Sequence, residues 1–295
     1  MRAFEYHRAA SIEEACATLS RCGPEARILA GGQSLLNMMK WRIAAPTALV
    51  DAKGVASLAD VQETKDTIRV GSMVTYGNLG KAVLIKGLPI IHDALDVIAD
   101  LQVRNLGTLG GSCCQADPFG DMPNVMVALD AILEAKSIRG SRQIPINEFF
   151  LGPLETSLET DEMLTSIHID RSMSTCGSAY EKFSWRKGDY AIVSVASVIG
   201  LTPKGKCTVC RLVVGGLGPG PIELKASVKT LLGQIISEGA LKEAALAAAR
   251  ECRPEPDSTY GSADYKRLLV ETITARSLER SWRRARDLIA GEDNA

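Results

Sequence analysis

Two glycine doublets constrain this chain more than any other feature. The first sits in "LAGGQSLLNMMKWRI" (residues 29–43), directly after the short apolar run "ARIL" and ahead of an apolar-rich, helix-like stretch. The second sits in "TLGGS" (residues 108–112). Each sets two adjacent glycines beside a hydroxyl. Glycine allows close approach because no Cβ stands in the way. Successive main-chain N–H groups in such a bend form a concavity that attracts anions. A serine after the glycines can donate one more hydrogen bond or cap the helix that follows. Singly, either doublet reads as turn chemistry; together they can grip the two phosphates of a dinucleotide. Neither is a Walker loop, since Gly-Lys-Ser/Thr is absent, and neither has the GxGxxG spacing of a Rossmann turn.

Other motifs are weaker. "GGLGPG" (residues 215–220) is followed by "PIEL" and not by a helix, so it reads as a turn between elements. His7, His92 and His168 are scattered without HxH or HxxxH spacing, and no metal site is expected. "CTVC" (Cys207, Cys210) has CxxC spacing but falls in a strand-like segment. Residues three apart on a strand point to opposite faces, so packed thiols are expected there. Cys113 and Cys114 are read the same way. No Gly-x-Ser-x-Gly occurs, and no base–nucleophile array suggests a catalytic residue. The basic run "SLERSWRRARD" reads as a solvated helix face, with a contact to a partner subunit as the sharper alternative.

The chain has 295 residues, 46% of them hydrophobic, enough for a large core and, as a prior from length, two domains. A formal net charge of −1 argues against nucleic acid or a membrane surface as the main partner. The longest apolar runs, such as residues 191–201, are too short to span a bilayer. "MRAFEYHRAASIEEAC" carries early charges and lacks the apolar centre of a signal peptide. A cytoplasmic location is therefore expected, where the eight cysteines stay reduced.

Along the chain, "SIEEACATLSRCG" opens with Ser11 and Glu14 as a capping box and closes on Gly23, which predicts a helix. "ARILAGG", "TALVDAKGV" and residues 163–169 predict strands, and "IIHDALDVIADL" predicts a helix preceded by Pro89. The stretch around the second doublet predicts a glycine-rich loop. Residues 179–185, 192–201 and 206–215 predict an antiparallel meander with a "PKG" turn. "SEGALKEAALAAARE" and "SADYKRLLVETITARSLERSWRRARDLIA" predict helices. The order mixes strands and helices without strict alternation, which makes the class α+β. A small polar stretch, "SMSTCG", predicts a domain boundary near residue 175.

The segments "ILAGGQSLLNMMKWRI", "VRNLGTLGGSCCQADPFGDMPNVMVALDA", "KFSWRKGDYAIVSVA" and "VGGLGPGPIEL" occur in order over nearly the whole chain. This pattern resembles the FAD-binding medium subunit of the molybdenum hydroxylases: xanthine dehydrogenase, aerobic carbon monoxide dehydrogenase and the bacterial N-heterocycle dehydrogenases. The resemblance implies a two-lobed FAD-binding domain of the p-cresol methylhydroxylase type over residues 1–175, with lobes of about 1–55 and 56–175. A smaller α+β domain with an antiparallel sheet would follow over residues 176–295. Leu29, Ala30, Gly31, Gly32, Gln33, Ser34 and Leu35, with Thr108, Leu109, Gly110, Gly111 and Ser112, would hold the FAD pyrophosphate and its surroundings. Asp121 in "DPFGD" matches an acidic residue that bonds the cofactor's sugar-like chain. Lys187 and Tyr190 in "RKGDYA" match positions near the flavin, and Ala99 a small residue lining the ring. Ser112 departs from the family, where Asn or Asp is common.

The same resemblance implies the division of labour. A large partner subunit would carry molybdopterin and hydroxylate the substrate, and a small one would carry two [2Fe–2S] clusters. This chain would pass electrons through FAD to an external acceptor within a heterotrimer. An N-heteroaromatic substrate is expected, with carbon monoxide or a free-standing FAD oxidoreductase of the same fold as alternatives. Valine at Gly31 or Gly110 is expected to abolish FAD binding by blocking the pyrophosphate.

Overall fold

The fold is that of a computed structural model, in which residues 1–255 and 260–292 are described. The chain runs β1 (Glu5–Arg8), α1 (Ile12–Cys22), β2 (Ala26–Leu29), α2 (Leu35–Lys40), β3 (Ala48–Asp51), β4 (Val61–Glu63), β5 (Thr67–Gly71), α3 (Tyr76–Leu79), α4 (Pro89–Val97), α5 (Leu101–Leu106), α6 (Leu109–Gln115) and α7 (Asp121–Ala128). It continues through β6 (Ile132–Ser137), β7 (Gly140–Pro145), β8 (Phe150–Gly152), β9 (Glu155–Thr156), β10 (Met163–Asp170), β11 (Gly177–Phe183), β12 (Val193–Leu201), β13 (Cys207–Gly215), β14 (Ile222–Glu223), α8 (Lys225–Leu231), α9 (Glu238–Glu251) and α10 (Ala263–Glu292). Two compact units interleave in sequence. One comprises Met1–Leu84, Asp100–Ala116 and Ala131–Ile169; the other comprises Ile85–Ala99, Asp117–Asp130 and Asp170–Ala295.

The first unit starts with a parallel sheet in the order β1-β3-β2. Helix α1 begins where the sequence predicts: the Ser11 hydroxyl accepts from the Glu14 N–H at 3.1 Å. The Glu14 carboxylate reaches back to the N–H of Ala10 at 2.7 Å, one residue before the cap. Ala15, Cys16 and Leu19 on its inner face pack with Ala26, Ala48 and Val50 of the sheet. A second sheet, ordered β4-β5-β10-β6-β7, completes this unit's main layers together with the small β8–β9 pair.

The second unit is built on the antiparallel sheet β11-β12-β13-β14. The long strands alternate little in burial because both faces are covered: α10 packs on β11 and β12, and α7 on β12 and β13. Ser197 bonds Ser277 and Ser281 of α10 at 2.7 and 3.0 Å, so the helix rests on the sheet through buried hydroxyls. Helix α4 is tied to β11 of the same sheet by Asp93, which accepts from the Tyr180 N–H and from Arg280 and Arg284. Two arginines of the basic run, the exposed Arg280 and the half-buried Arg284, thus pair with a buried carboxylate, so the face expected to be solvated is only partly so. Arg283 fits that expectation, pairing on the surface with Glu279.

Two further expectations change. The stretch around the second doublet is helix and not loop: α5 and α6 occupy it, with Gly110 and Gly111 in the first turn of α6. Cys207 and Cys210 share a face instead of opposing each other. The register slips between Gly200 and Leu201, so Thr208 has no partner and both thiols enter the core. The Cys207 thiol donates to Val209 O at 3.3 Å, and its closeness to Cys210 pulls Cys207 below the usual thiol range and pushes Cys210 up. They remain packed thiols, by a different geometry. "GGLGPG" is the turn into β14 that the sequence predicts.

Candidate functional site

In the first unit the two doublets come together. A Cβ on Gly31 would collide with the Leu106 carbonyl and lie 2.8 Å from the Gly107 Cα, one residue before Thr108. A Cβ on Gly111 would lie 3.4 Å from that of Ala30. Strand β2 therefore delivers residues 29–35 onto the start of α6. Gly32 takes the left-handed conformation, φ +74°, that turns the chain from β2 into α2.

The two segments differ in what their backbones do. Gly31, Gly32, Gln33, Ser34 and Leu35 are all half-buried, and their main-chain N–H groups donate to no acceptor among the described residues. Ser34 sits at the start of α2 without capping it, which leaves its hydroxyl available. In α6 the N–H groups are taken. Leu109 donates to Val74 O and Gly110 to Ser72 O, both at 3.0 Å. Gly111 donates to Thr108 Oγ1 at 3.0 Å, and Ser112 to Thr108 O. Thr108, Leu109 and Gly110 are buried, while Gly111 and Ser112 are half-buried. A Cβ on Gly110 would sit 2.5 Å from that of Ser72, so this glycine serves packing against the protein itself.

An anionic group fits this arrangement. Five consecutive donors without a partner among the described residues offer a cradle for phosphate oxygens. Burial pushes the thiols of Cys113 and Cys114, both in α6, up, Cys114 to about 12, which disfavours the thiolate at neutral pH.

In the second unit Ala99, Asp121, Lys187 and Tyr190 lie on three segments. Ala99 follows α4 in a left-handed conformation, φ +42°. Ile98 pairs with Gly188 in an isolated parallel bridge, and a Cβ on Gly188 would sit 2.7 Å from Ala99 O. That close approach puts Ala99 beside the turn carrying Lys187 and Tyr190. Lys187 is exposed. Tyr190 packs edge-on against Phe119, with ring centroids 6.3 Å apart; burial and then the Asp117 carboxylate push its hydroxyl up to about 12.

Asp121 is the first residue of α7, where a carboxylate favours the helix's positive end. It is buried and already paired: Tyr180 Oη donates to Oδ1 at 2.5 Å and Lys182 Nζ to Oδ2 at 3.1 Å. Burial raises its proton affinity, against the pull of Lys182 and Tyr180 in the other direction. Lys182 is absent from the sequence reading, which points to Lys187 five residues later. The available signal is its i,i+2 spacing from Tyr180 on β11, which puts both side chains on one face of the strand.

Among the described residues one further trio, Glu5, His7 and Cys22, brings potential metal ligands together, on partly exposed surface where His7 and Glu5 pair at 2.9 Å. No helix there is long and apolar enough to cross a membrane.

Comparison with known proteins agrees with the motif pattern. Residues 2–171 match the model of the FAD binding domain in molybdopterin dehydrogenase. Residues 178–281 match the CO dehydrogenase flavoprotein C-terminal domain. The chain is 35% identical to the 6-hydroxypseudooxynicotine dehydrogenase complex subunit alpha of Paenarthrobacter nicotinovorans, covering 96% of each chain. It is also 35% identical to the nicotine 6-hydroxylase medium subunit of the same organism, over 94% of this chain and 96% of that one. Among solved structures it superposes on a chain of carbon monoxide dehydrogenase from Hydrogenophaga pseudoflava with a TM-score of 0.91 and 34% identity, covering 96% of this chain and 98% of that one.

Proposed function

The chain belongs to the FAD-binding medium subunits of the molybdenum hydroxylases, and we propose that it relays electrons from the [2Fe–2S] clusters of a small partner subunit, through FAD, to an external acceptor. The row of unpaired N–H groups over residues 31–35 carries this reading. It offers a pyrophosphate the donors that a dinucleotide site needs. Bound FAD supplies the electron-transfer chemistry, and the protein supplies binding, orientation and charge.

Leu29 and Ala30 set the floor under that row, and the Ser34 hydroxyl adds a donor. Gly111 keeps the neighbouring surface low, and Ser112, standing where Asn or Asp is common in the family, alters the contact made there. Thr108, Leu109 and Gly110 act by holding this segment in place. In the second unit, Asp121 keeps lone pairs for the cofactor's sugar chain beyond those its two protein donors use. Ala99 leaves space for the ring, Tyr190 lies against it, and Lys187 brings positive charge to it. Among the described residues this reading assigns none as acid, base or nucleophile. Residues 1–175 form the cofactor domain in this reading and residues 176–295 the smaller one.

The substrate reacts on a large molybdopterin subunit, in a heterotrimer in the cytoplasm. An N-heteroaromatic compound is proposed, on the likeness to subunits whose names refer to nicotine and its derivative. The likeness to carbon monoxide dehydrogenase supports a second reading, carbon monoxide. Purification of the native complex tests both. A large and a small subunit, bound flavin and dye reduction by a pyridine-ring compound are expected. Dye reduction by carbon monoxide alone selects the second reading, and a lone active flavoprotein overturns the subunit assignment.

A further inference from the structure

We propose that Lys182 is a positioning residue for the flavin-facing part of the second unit, joining in one ammonium group the three segments that carry Ala99, Asp121 and Tyr190. Its side chain is 2% exposed. A lysine ammonium has three donors, and each is used here. One goes to the Asp121 carboxylate at 3.1 Å, one to Val97 O at 2.9 Å and one to Asp189 O at 3.0 Å. The proposal rests on reading Ala99, Asp121, Lys187 and Tyr190 as cofactor contacts.

The geometry explains why a cation is needed at this point. Val97 is the last residue of α4, and its carbonyl is one of those that a helix leaves without an internal partner. Asp121 opens α7. The ammonium therefore sits at the negative end of one helix and, through the carboxylate, faces the positive end of another. Two residues after Val97 comes Ala99; one residue after Asp189 comes Tyr190. Holding both carbonyls fixes the Ile98–Gly188 bridge from each side. Lys187, exposed on the same turn, is placed by this anchor and does not itself provide it. Removing the ammonium frees two carbonyls and leaves a buried carboxylate with Tyr180 alone, so the three segments lose their common reference.

The test uses the full chain, stripped of flavin and titrated with FAD, in wild-type, Lys182→Met, Lys182→Arg and Glu251→Gln forms. Glu251 caps the start of α8 from the end of α9, and its loss is a purely structural lesion in the same unit. FAD affinity, the midpoint potential of the bound flavin and the melting temperature are measured for each. K182M is expected to bind FAD about tenfold more weakly or worse, with a shifted potential, and K182R to recover part of both. E251Q is expected to melt earlier with affinity and potential unchanged. Should K182M fail to fold, Lys182→Gln, which keeps hydrogen-bond donors, is read by the same criteria. FAD affinity within about twofold of wild type, together with an unshifted midpoint potential, in the folded variant overturns the proposal and leaves the FAD reading standing. Equal shifts in E251Q overturn it as well. A wild-type chain that takes up no FAD removes the FAD reading and the proposal together.

Discussion

The two glycine doublets look alike in sequence and are used in opposite ways. Around Gly31 and Gly32, five successive main-chain N–H groups stay half-buried and unpaired. Around Gly110 and Gly111, the N–H groups of residues 109–112 are consumed by Val74, Ser72 and Thr108. Glycine permits close approach to protein in both cases, of Gly31 to the Leu106 carbonyl and of Gly110 to Ser72, and the difference lies in the N–H groups. In the first doublet the amides are left for a ligand. In the second the missing Cβ lets α6 press on Ser72. A pair of glycines thus marks a crowded backbone, and only the fate of its N–H groups says whether the neighbour is protein or ligand.

The largest effect expected is Gly110→Ala. Its Cβ would lie 2.5 Å from the Ser72 Cβ and 2.6 Å from the Ser72 carbonyl oxygen. Backbone must move, so a loss of about 3 kcal/mol in denaturant unfolding is expected. Valine at Gly31 or Gly110 therefore tests the folding of the first unit before it tests the ligand, which alters the meaning of that sequence-based expectation. An alanine variant at Gly110 with wild-type stability would break the contrast.

Next come the two hydroxyls. Ser34→Ala removes no protein hydrogen bond, so stability should stay within about 0.5 kcal/mol. FAD affinity should fall about tenfold, read by flavin fluorescence titration. Thr108→Val removes the cap on Gly111 and should cost about 1 kcal/mol of stability. Its folded form should bind FAD within about twofold of wild type. The reverse pattern would exchange the roles of the doublets.

Gly32→Ala should be milder than Gly110→Ala. Its Cβ would meet side chains and not backbone, Leu36 Cδ1 at 2.9 Å and Cγ at 3.3 Å and Leu29 Cδ1 at 3.5 Å, and the left-handed backbone adds about 1–2 kcal/mol of strain. The smallest effect concerns Cys114, held by burial at a pKa of about 12. Native protein at pH 8 should resist iodoacetamide at this residue, and unfolded protein should not. Fast native labelling, followed by peptide mass, would show α6 looser than described.

Much of this was legible in the sequence because it is local. The Ser11 cap, the strands β11 to β13 and the alanine-rich α9 follow from spacing within a few residues. What escaped depends on distant partners. Gly110 and Gly111 are poor helix formers, and α6 exists because Thr108 caps it while Ser72 and Val74 take its first amides. Thr208 bulges out and turns Cys207 and Cys210 to one face. Arg280 and Arg284 look like surface charge until α4 supplies Asp93. Within the candidate site, the glycines and Asp121 stand out in sequence. Lys182 does not, because its three partners lie seven to eighty-five residues away.

The central claim is that residues 31–35 hold free amides for the pyrophosphate while α6 holds none. Amide hydrogen exchange of the flavin-free chain, with and without saturating FAD, tests it directly. The N–H groups of residues 31–35 should exchange quickly in the free chain and gain protection on binding. Those of residues 109–112 should be protected in both states. Protection of residues 31–35 already in the free chain, or a gain confined to residues 109–112, would contradict the account.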